Sequence, residues 1–371
     1  MNVPLVDLSF QHRAIEAEVR EGFERVMATG QFILGPPVAE FEAEYAAYCG
    51  VEHCLGVASG SDALELGLRA LEIGAGDEVL LPTNTFVASA LAVVRAGAEP
   101  VLVDCGEASS GIDVSAVSGR IGPRTRAVMA VDLFGELAAL EELEALAADA
   151  GIALIEDAAQ AQGARRGGRS AGGFGDLAGT SFYPGKNLGA YGDAGAVTTR
   201  SAELDDRIRR LRNYGSQVKY AHPETGFNSR LDTLQAVVLS AKLRRLESWN
   251  DTRRQAAARY DEMLDSVKGV VLPPGRRDAS HVWHLYTVRV AERDAVLASL
   301  QAVGVQAGIH YPHPIHQLGA FAFLGHRPGD FPHAERASAE MISLPIFPGI
   351  SPEQQERVVS ALAEAVETGS P

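Results

Sequence analysis

Between Cys54 and Asp157 the chain repeats one pattern, a short apolar run followed by a helical stretch and then another apolar run. Apolar runs fall at Cys54–Ala58, Glu78–Leu81, Pro100–Val103, Ala127–Val131 and Ala153–Glu156. Helical periodicity fills Ala63–Leu71, Phe86–Ala96 and Leu137–Ala150. A helix between two strands brings the second strand back parallel to the first, and helices then cover both faces of the sheet. The pattern therefore predicts an α/β domain built on a mostly parallel, buried sheet.

Two amphipathic helices precede this region, over Leu8–Met27 and Val38–Tyr48, separated by an irregular Gln31–Pro37 segment. Further helices are predicted over Leu231–Leu246 and Arg253–Leu264. The tenor changes near Trp249. Strand-like runs at Trp283–Val290 and Ile342–Ile346 alternate with helices over Arg293–Val303 and Ser351–Thr368. The last helix opens on a Ser-Pro-Glu-Gln start signal. The expected division is a large domain, 1–248, and a smaller C-terminal α+β domain, 249–371. No internal repeat is visible.

Charge narrows the function classes. A net charge of −15 over 371 residues argues against wrapping nucleic acid or docking on anionic lipid. Three cysteines, Cys49, Cys54 and Cys105, lack disulfide or zinc spacing and read as small buried thiols. Met1-Asn2-Val3-Pro4 carries no secretory signal, and no apolar stretch approaches the roughly 20 residues of a membrane span. The expected location is the cytoplasm.

Three sites carry chemistry. Ser181-Phe182-Tyr183-Pro184-Gly185-Lys186-Asn187 sets a lysine in a glycine-bearing, aromatic turn, where desolvation favours a nucleophilic amine. By itself it also reads as a solvated loop lysine. Ile155-Glu156-Asp157 puts a carboxylate at the C-terminal end of a buried strand, the edge where parallel sheets bind ligands; an aspartate there also serves as a helix cap. Ser59-Gly60-Ser61-Asp62 joins a strand to a helix, and its free amides suit a phosphate or simply a capped helix start. Together they supply an anion cradle, a pyridinium partner and an amine, the set that pyridoxal 5′-phosphate requires.

The chain resembles the DegT/DnrJ/EryC1/StrS sugar aminotransferases, of the aspartate aminotransferase-like fold type I. The resemblance runs from Asp7-Leu8 through Gly60-Ser61-Asp62-Ala63-Leu64, Thr85-Phe86, Glu156-Asp157-Ala158-Ala159-Gln160, Phe182-Tyr183-Pro184-Gly185-Lys186-Asn187, Gly192-Asp193-Ala194-Gly195-Ala196 and Asn228-Ser229-Arg230-Leu231 to His310-Tyr311-Pro312. It implies that Lys186 bonds the cofactor aldehyde, that Asp157 pairs with the pyridinium nitrogen, and that Phe86 stacks on the ring. It implies too that Gln160 reaches the ring hydroxyl and that Ser181, with the amides of Gly60 and Ser61, holds the phosphate. Asn228 is expected to reach the phosphate of a neighbouring subunit, making the active unit a homodimer. Two positions depart from the family's habit, Ser61 where threonine is frequent and Gln162 where histidine is frequent.

The resemblance extends to the acceptor. Lys219 and Tyr220 offer a cation and a hydroxyl for a pyrophosphate, or sit on a solvated loop. Tyr183, His310 and Tyr311 are expected to line a hexose pocket. His310, His313 and His316 could hold a metal by count alone, but the interposed prolines oppose it, so no metal is expected. Asn213-Tyr214-Gly215-Ser216 resembles members acting on 3-keto sugars. The expected reaction moves an amino group from L-glutamate to a dTDP-3-keto-6-deoxyhexose, a step suited to antibiotic or glycan deoxysugars. The rivals are a 4-keto sugar aminotransferase, a sugar dehydratase (whose members carry histidine at the lysine position) and a non-catalytic regulatory homologue.

Overall fold

The apolar runs assemble into one seven-stranded sheet in the computed structural model, which describes residues 1–107, 109–273 and 278–369. Its strands are β1 (His53–Val57), β2 (Glu78–Pro82), β3 (Glu99–Val103), β4 (Thr125–Val131), β5 (Ala153–Asp157), β8 (Leu177–Ser181) and β9 (Gly195–Thr199). A two-residue pair, β6 (Arg165–Arg166) with β7 (Arg169–Ser170), lies between β5 and β8 outside the sheet. The order is β1-β9-β8-β5-β4-β2-β3. β9 runs antiparallel to both neighbours; the pairings from β8 through β3 are parallel.

Both faces of the sheet are buried, and the two-residue strand period decides which side chain goes where. Val79 and Leu81 enter one apolar cluster with α3 (Gly60–Ala70) and α4 (Val87–Ala96). Leu80, between them, enters the other with α6 (Leu140–Ala150) and the short α5 (Val114–Ser118). α1 (Ser9–Thr29) and α2 (Pro36–Cys49) pack against α8 (Thr233–Leu243), and α7 (Ala202–Leu211) lies against α3.

A second core gathers the C-terminal part. β10 (Val270–Val271), β11 (Tyr286–Val290) and β12 (Met341–Leu344) form an antiparallel sheet. It packs with α9 (Leu246–Leu264), α10 (Arg293–Ala302) and α12 (Pro352–Gly369). α11 (Pro332–Glu340) precedes β12. The expected division at 248/249 falls inside α9. Trp249 packs with α1 and α8, whereas Ala256, Ala257, Tyr260 and Leu264 belong to the second core. Val3, from the opposite end of the chain, also joins that second core and bridges Val305.

Where the elements differ from their sequence expectation, the cause is local. The single helix expected over Leu231–Leu246 breaks at Arg244–Arg245, and α9 begins at Leu246 rather than Arg253. The strand expected from Trp283 starts at Tyr286, because Trp283 takes a left-handed turn (φ 49°) and stacks on His281 at 3.8 Å. Among the described residues no helix is long and apolar enough to cross a membrane.

Candidate active site

The C-terminal ends of β5 and β8, the start of β9 and the loop after β2 meet at one edge of the sheet. There the side chains of Asp157, Ser181, Lys186, Phe86, Thr85, Ser89, Gln160, Tyr183 and Asp193 line a cavity of about 270 Å³ with Gly60, Ser61 and Tyr311. The segment holding Tyr311 comes from the C-terminal part and is tied to β2's exit. Ile315 N–H donates to Thr83 O at 2.7 Å, and His316 bridges Thr83 Oγ1 (3.0 Å) and Glu335 Oε1 (3.0 Å).

Lys186 sits on a tight loop. Lys186 N–H donates to Tyr183 O (2.8 Å), and Ala190 N–H donates to Phe182 O (2.7 Å). Phe182 anchors the loop, wholly buried edge-on to Phe41 and Tyr45 at 5.4 and 5.3 Å. The amine lies in a desolvated cavity, and burial pulls its pKa down to about 8, a fall that the nearby Asp157 only partly opposes.

Asp157 ends β5 and is buried. Its Oδ1 accepts from Ala159 N–H (3.2 Å) and its Oδ2 from Ser89 Oγ–H (2.8 Å). Burial raises its pKa, while those donors and Lys186 favour the anion. Behind it, Asp132 and Glu156 are both wholly buried. Glu156 accepts the amides of Gly172 and Phe174. Asp132 Oδ1 accepts from Ala138 N–H, and its Oδ2 meets no donor. Burial first, then repulsion by Glu156, pushes Asp132 well up. Asp132 is thereby biased toward its protonated form beside Glu156.

The start of α3 forms a cradle. Ser59 Oγ accepts from Asp62 N–H and Ser59 O from Ala63 N–H, which leaves the amides of Gly60 and Ser61 outside the helix ladder at its positive end. A Cβ on Gly60 would lie 2.5 Å from Ser181 Cβ, so this approach tolerates only glycine. A phosphate-bearing aldehyde with a basic ring nitrogen fits this donor set: amides and a hydroxyl for the phosphate, an amine for the aldehyde, a carboxylate for the nitrogen.

Other expected residues stand as follows. Gln160 Oε1 accepts from Phe134 N–H (2.6 Å), and its Nε2 donates to Tyr311 Oη (3.1 Å). Phe86 is 49% exposed and lies 5.3 Å from the Tyr311 ring. His310 bonds Ser343 Oγ at 2.8 Å, and burial with the nearby Lys186 lowers its pKa to about 4. Lys219, Tyr220 and Asn228 are exposed, Tyr220 by 85%, and none lines the cavity of its own chain. Gln162 turns away to Thr180 Oγ1, Ser181 O and Ala159 O, clasping β8 to the Asp157 loop.

Four residues escaped the sequence reading as contributors. Ser89 and Thr85 serve Asp157. Asn187 donates to Asn250 Oδ1 (2.9 Å) and Val282 O (3.0 Å) and holds His284 Nδ1 at 3.2 Å. Burial, with Lys186 next, pushes His284 far below its ordinary range, so it stays neutral beside the amine. Asn187 was within reach of a reading because it adjoins Lys186, and Thr85 because it adjoins Phe86; Ser89 and His284 carry no local signal.

A desolvated amine, a buried carboxylate and a phosphate cradle lining one cavity, at the exit edge of a mostly parallel sheet, form the donor set of a fold-type I transferase dependent on pyridoxal phosphate. The chain belongs to the DegT/DnrJ/EryC1/StrS aminotransferase family, whose model matches residues 13–363. It is 47% identical over 98% of its length to the Saccharopolyspora erythraea "Erythromycin biosynthesis sensory transduction protein EryC1", covering 99% of that protein. It is 46% identical to a Streptomyces venezuelae "dTDP-3-amino-3,4,6-trideoxy-alpha-D-glucose transaminase", over 98% of this chain and 96% of that one. The solved structure of S. venezuelae DesV in complex with a ketimine intermediate superposes with a TM-score of 0.95 at 45% identity, covering 99% of both chains.

Proposed function

We propose that the enzyme transfers an amino group from L-glutamate to the 3-keto group of a dTDP-linked 3-keto-6-deoxyhexose, giving a dTDP-3-amino sugar. The observation that carries the chemistry is Lys186, its amine desolvated in the same cavity as Asp157. The sugar and the position of amination are supported by the 46% identical transaminase and by the Asn213-Tyr214-Gly215-Ser216 segment.

When bound, the cofactor stores the electron pair released at the substrate carbon. The protein's side chains do the rest. Gly60, Ser61 and Ser181 would hold the phosphate, and Phe86 would lie against the ring. Asp157 would accept the ring N–H and favour its protonation. Lys186 would hold the aldehyde through its amine and, once free of it, would move a proton as general base and acid. The 2-oxo acid leaves before the keto sugar enters, so kinetics are ping-pong. Tyr183, His310 and Tyr311 surround the hexose.

Lys186 is the one cation among the described lining residues. The sugar's diphosphate needs others, and we assign Lys219 and Tyr220, with Asn228 for the cofactor phosphate, to a second copy in a homodimer. A regulatory role, suggested by the name of one relative, would not require Lys186 and Asp157 to share a cavity. Incubation of the holoenzyme with glutamate and each of the dTDP-3-keto and dTDP-4-keto sugars tests the reading. NMR of the product should give the amine at C3. Amination only at C4 would replace the 3-keto assignment. No turnover, with no borohydride-trapped adduct on Lys186 by mass spectrometry, would remove the catalytic reading.

A further inference from the structure

Asp157 is held by more than the backbone. Ser89 Oγ is 2.8 Å from Asp157 Oδ2 and 2.9 Å from Thr85 Oγ1. The acceptor-only carboxylate takes the single Ser89 proton, so Thr85 must donate to Ser89. The relay therefore points one way, from Thr85 to Ser89 to Asp157. All three groups are buried, at 2%, 0% and 5% exposure. Ser89 is the third residue of α4, and its amide bonds back to Phe86 O. This places the relay in the first turn of that helix, where the dipole favours an anion.

A carboxyl in so dry a place tends to keep its proton, and a protonated Asp157 brings no negative charge to hold the ring nitrogen protonated. Hydrogen bonds donated to the charged form oppose that tendency. We propose that Ser89, supported by Thr85, is a positioning residue that keeps Asp157 ionised and oriented toward the cofactor's ring nitrogen. The role follows from direction as well as distance: a hydroxyl relay ending on the carboxylate supplies a donor that an apolar residue of equal size cannot. It rests on the reading of Asp157 given above.

The test uses the full-length holoenzyme carrying cofactor labelled with 15N in the ring. The ring-nitrogen resonance reports protonation directly, and a merely structural role would not move it. Ser89→Ala should shift the resonance toward the unprotonated form and lower kcat on the order of ten- to a hundredfold, the scale of one hydrogen bond to a charged group. The KM for the sugar should change little. Ser89→Thr, which keeps the donor, should restore both. Thr85→Val should move the resonance the same way by less, and it serves as the probe if Ser89→Ala does not fold. An unmoved resonance in Ser89→Ala, or in Thr85→Val where that variant stands in, beside a shifted one in Asp157→Asn, overturns the relay alone. An unmoved resonance in Asp157→Asn removes the role of Asp157 and the relay with it.

Discussion

Lys186 owes its reactivity to where its amine ends. Burial lowers the pKa to about 8 from an ordinary value of roughly 10.4, and Asp157 pulls it part of the way back. The sign is set by which form reacts. The neutral amine attacks the aldehyde, so the rate at which apoenzyme captures cofactor should climb as pH rises and level off above about 8. Stopped-flow absorbance across pH 6–10 (roughly two units either side) measures it. A midpoint near 10 would mean that the amine is solvated. In Asp157→Asn the midpoint should fall further, because the group that raises it is gone. The carboxylate was legible because it ends a readable apolar run, and the lysine because it sits in a distinctive turn of aromatic and glycine residues. Ser89 was not: a serine inside an alanine-rich helix gives no hint of facing a carboxylate 68 positions away. Nor was the nearness of Asp132 to Glu156, since burial of two neighbouring acids is a tertiary fact.

The loop from Ser181 to Gly195 works as a unit braced at both ends. Phe182 is wedged between Phe41 and Tyr45 of α2. Near its middle, a Cβ on Gly189 would lie 2.3 Å from Pro184 O, a closeness only glycine permits. Below the loop, Lys242 of α8 donates to Gly189 O at 2.6 Å. Phe182→Ala should therefore destabilise the protein by about 3–5 kcal/mol, the usual cost of emptying a large buried aromatic site. It should also loosen the turn that aims Lys186. Guanidinium melts of the apoenzyme and cofactor titration measure the two effects, and a lost melt with unchanged cofactor affinity would separate the wedge from the turn. The strands flanking this loop, β8 and β9, went unread in the sequence. Leu177–Ser181 and Gly195–Thr199 are rich in Gly, Ala and Thr. The reason is the close approach of α3: a Cβ on Gly179 would meet Leu64 at 2.6 Å, and one on Gly67 would meet Leu177 at 2.7 Å. Central strands against so near a helix need small residues, and small residues leave no apolar run to read. The polar α7, with only Ile208 and Leu211 buried, was invisible for the opposite reason.

The cavity beside Lys186 draws little positive charge from its own chain. On a protein of net charge −15, a dianion needs cations gathered at its binding point. The exposed stretch carrying Lys219, Tyr220 and Asn228 lies outside the cavity of its own chain. Under the dimer proposed above, each site takes its amine from one copy and these groups from the other. That arrangement gives a sharp expectation for mixed subunits. Lys186→Ala and Asn228→Ala should each be nearly inactive as pure dimers, the second through weak cofactor binding. Mixed and allowed to exchange, half of the dimers are hybrids. Each hybrid has one site with both groups intact and one with neither, so about a quarter of wild-type activity should return. The readout is the transaminase rate against mixing time at limiting cofactor, with subunit exchange followed by native mass spectrometry. If hybrids form and no activity returns, Asn228 serves its own chain and the site is complete within one subunit.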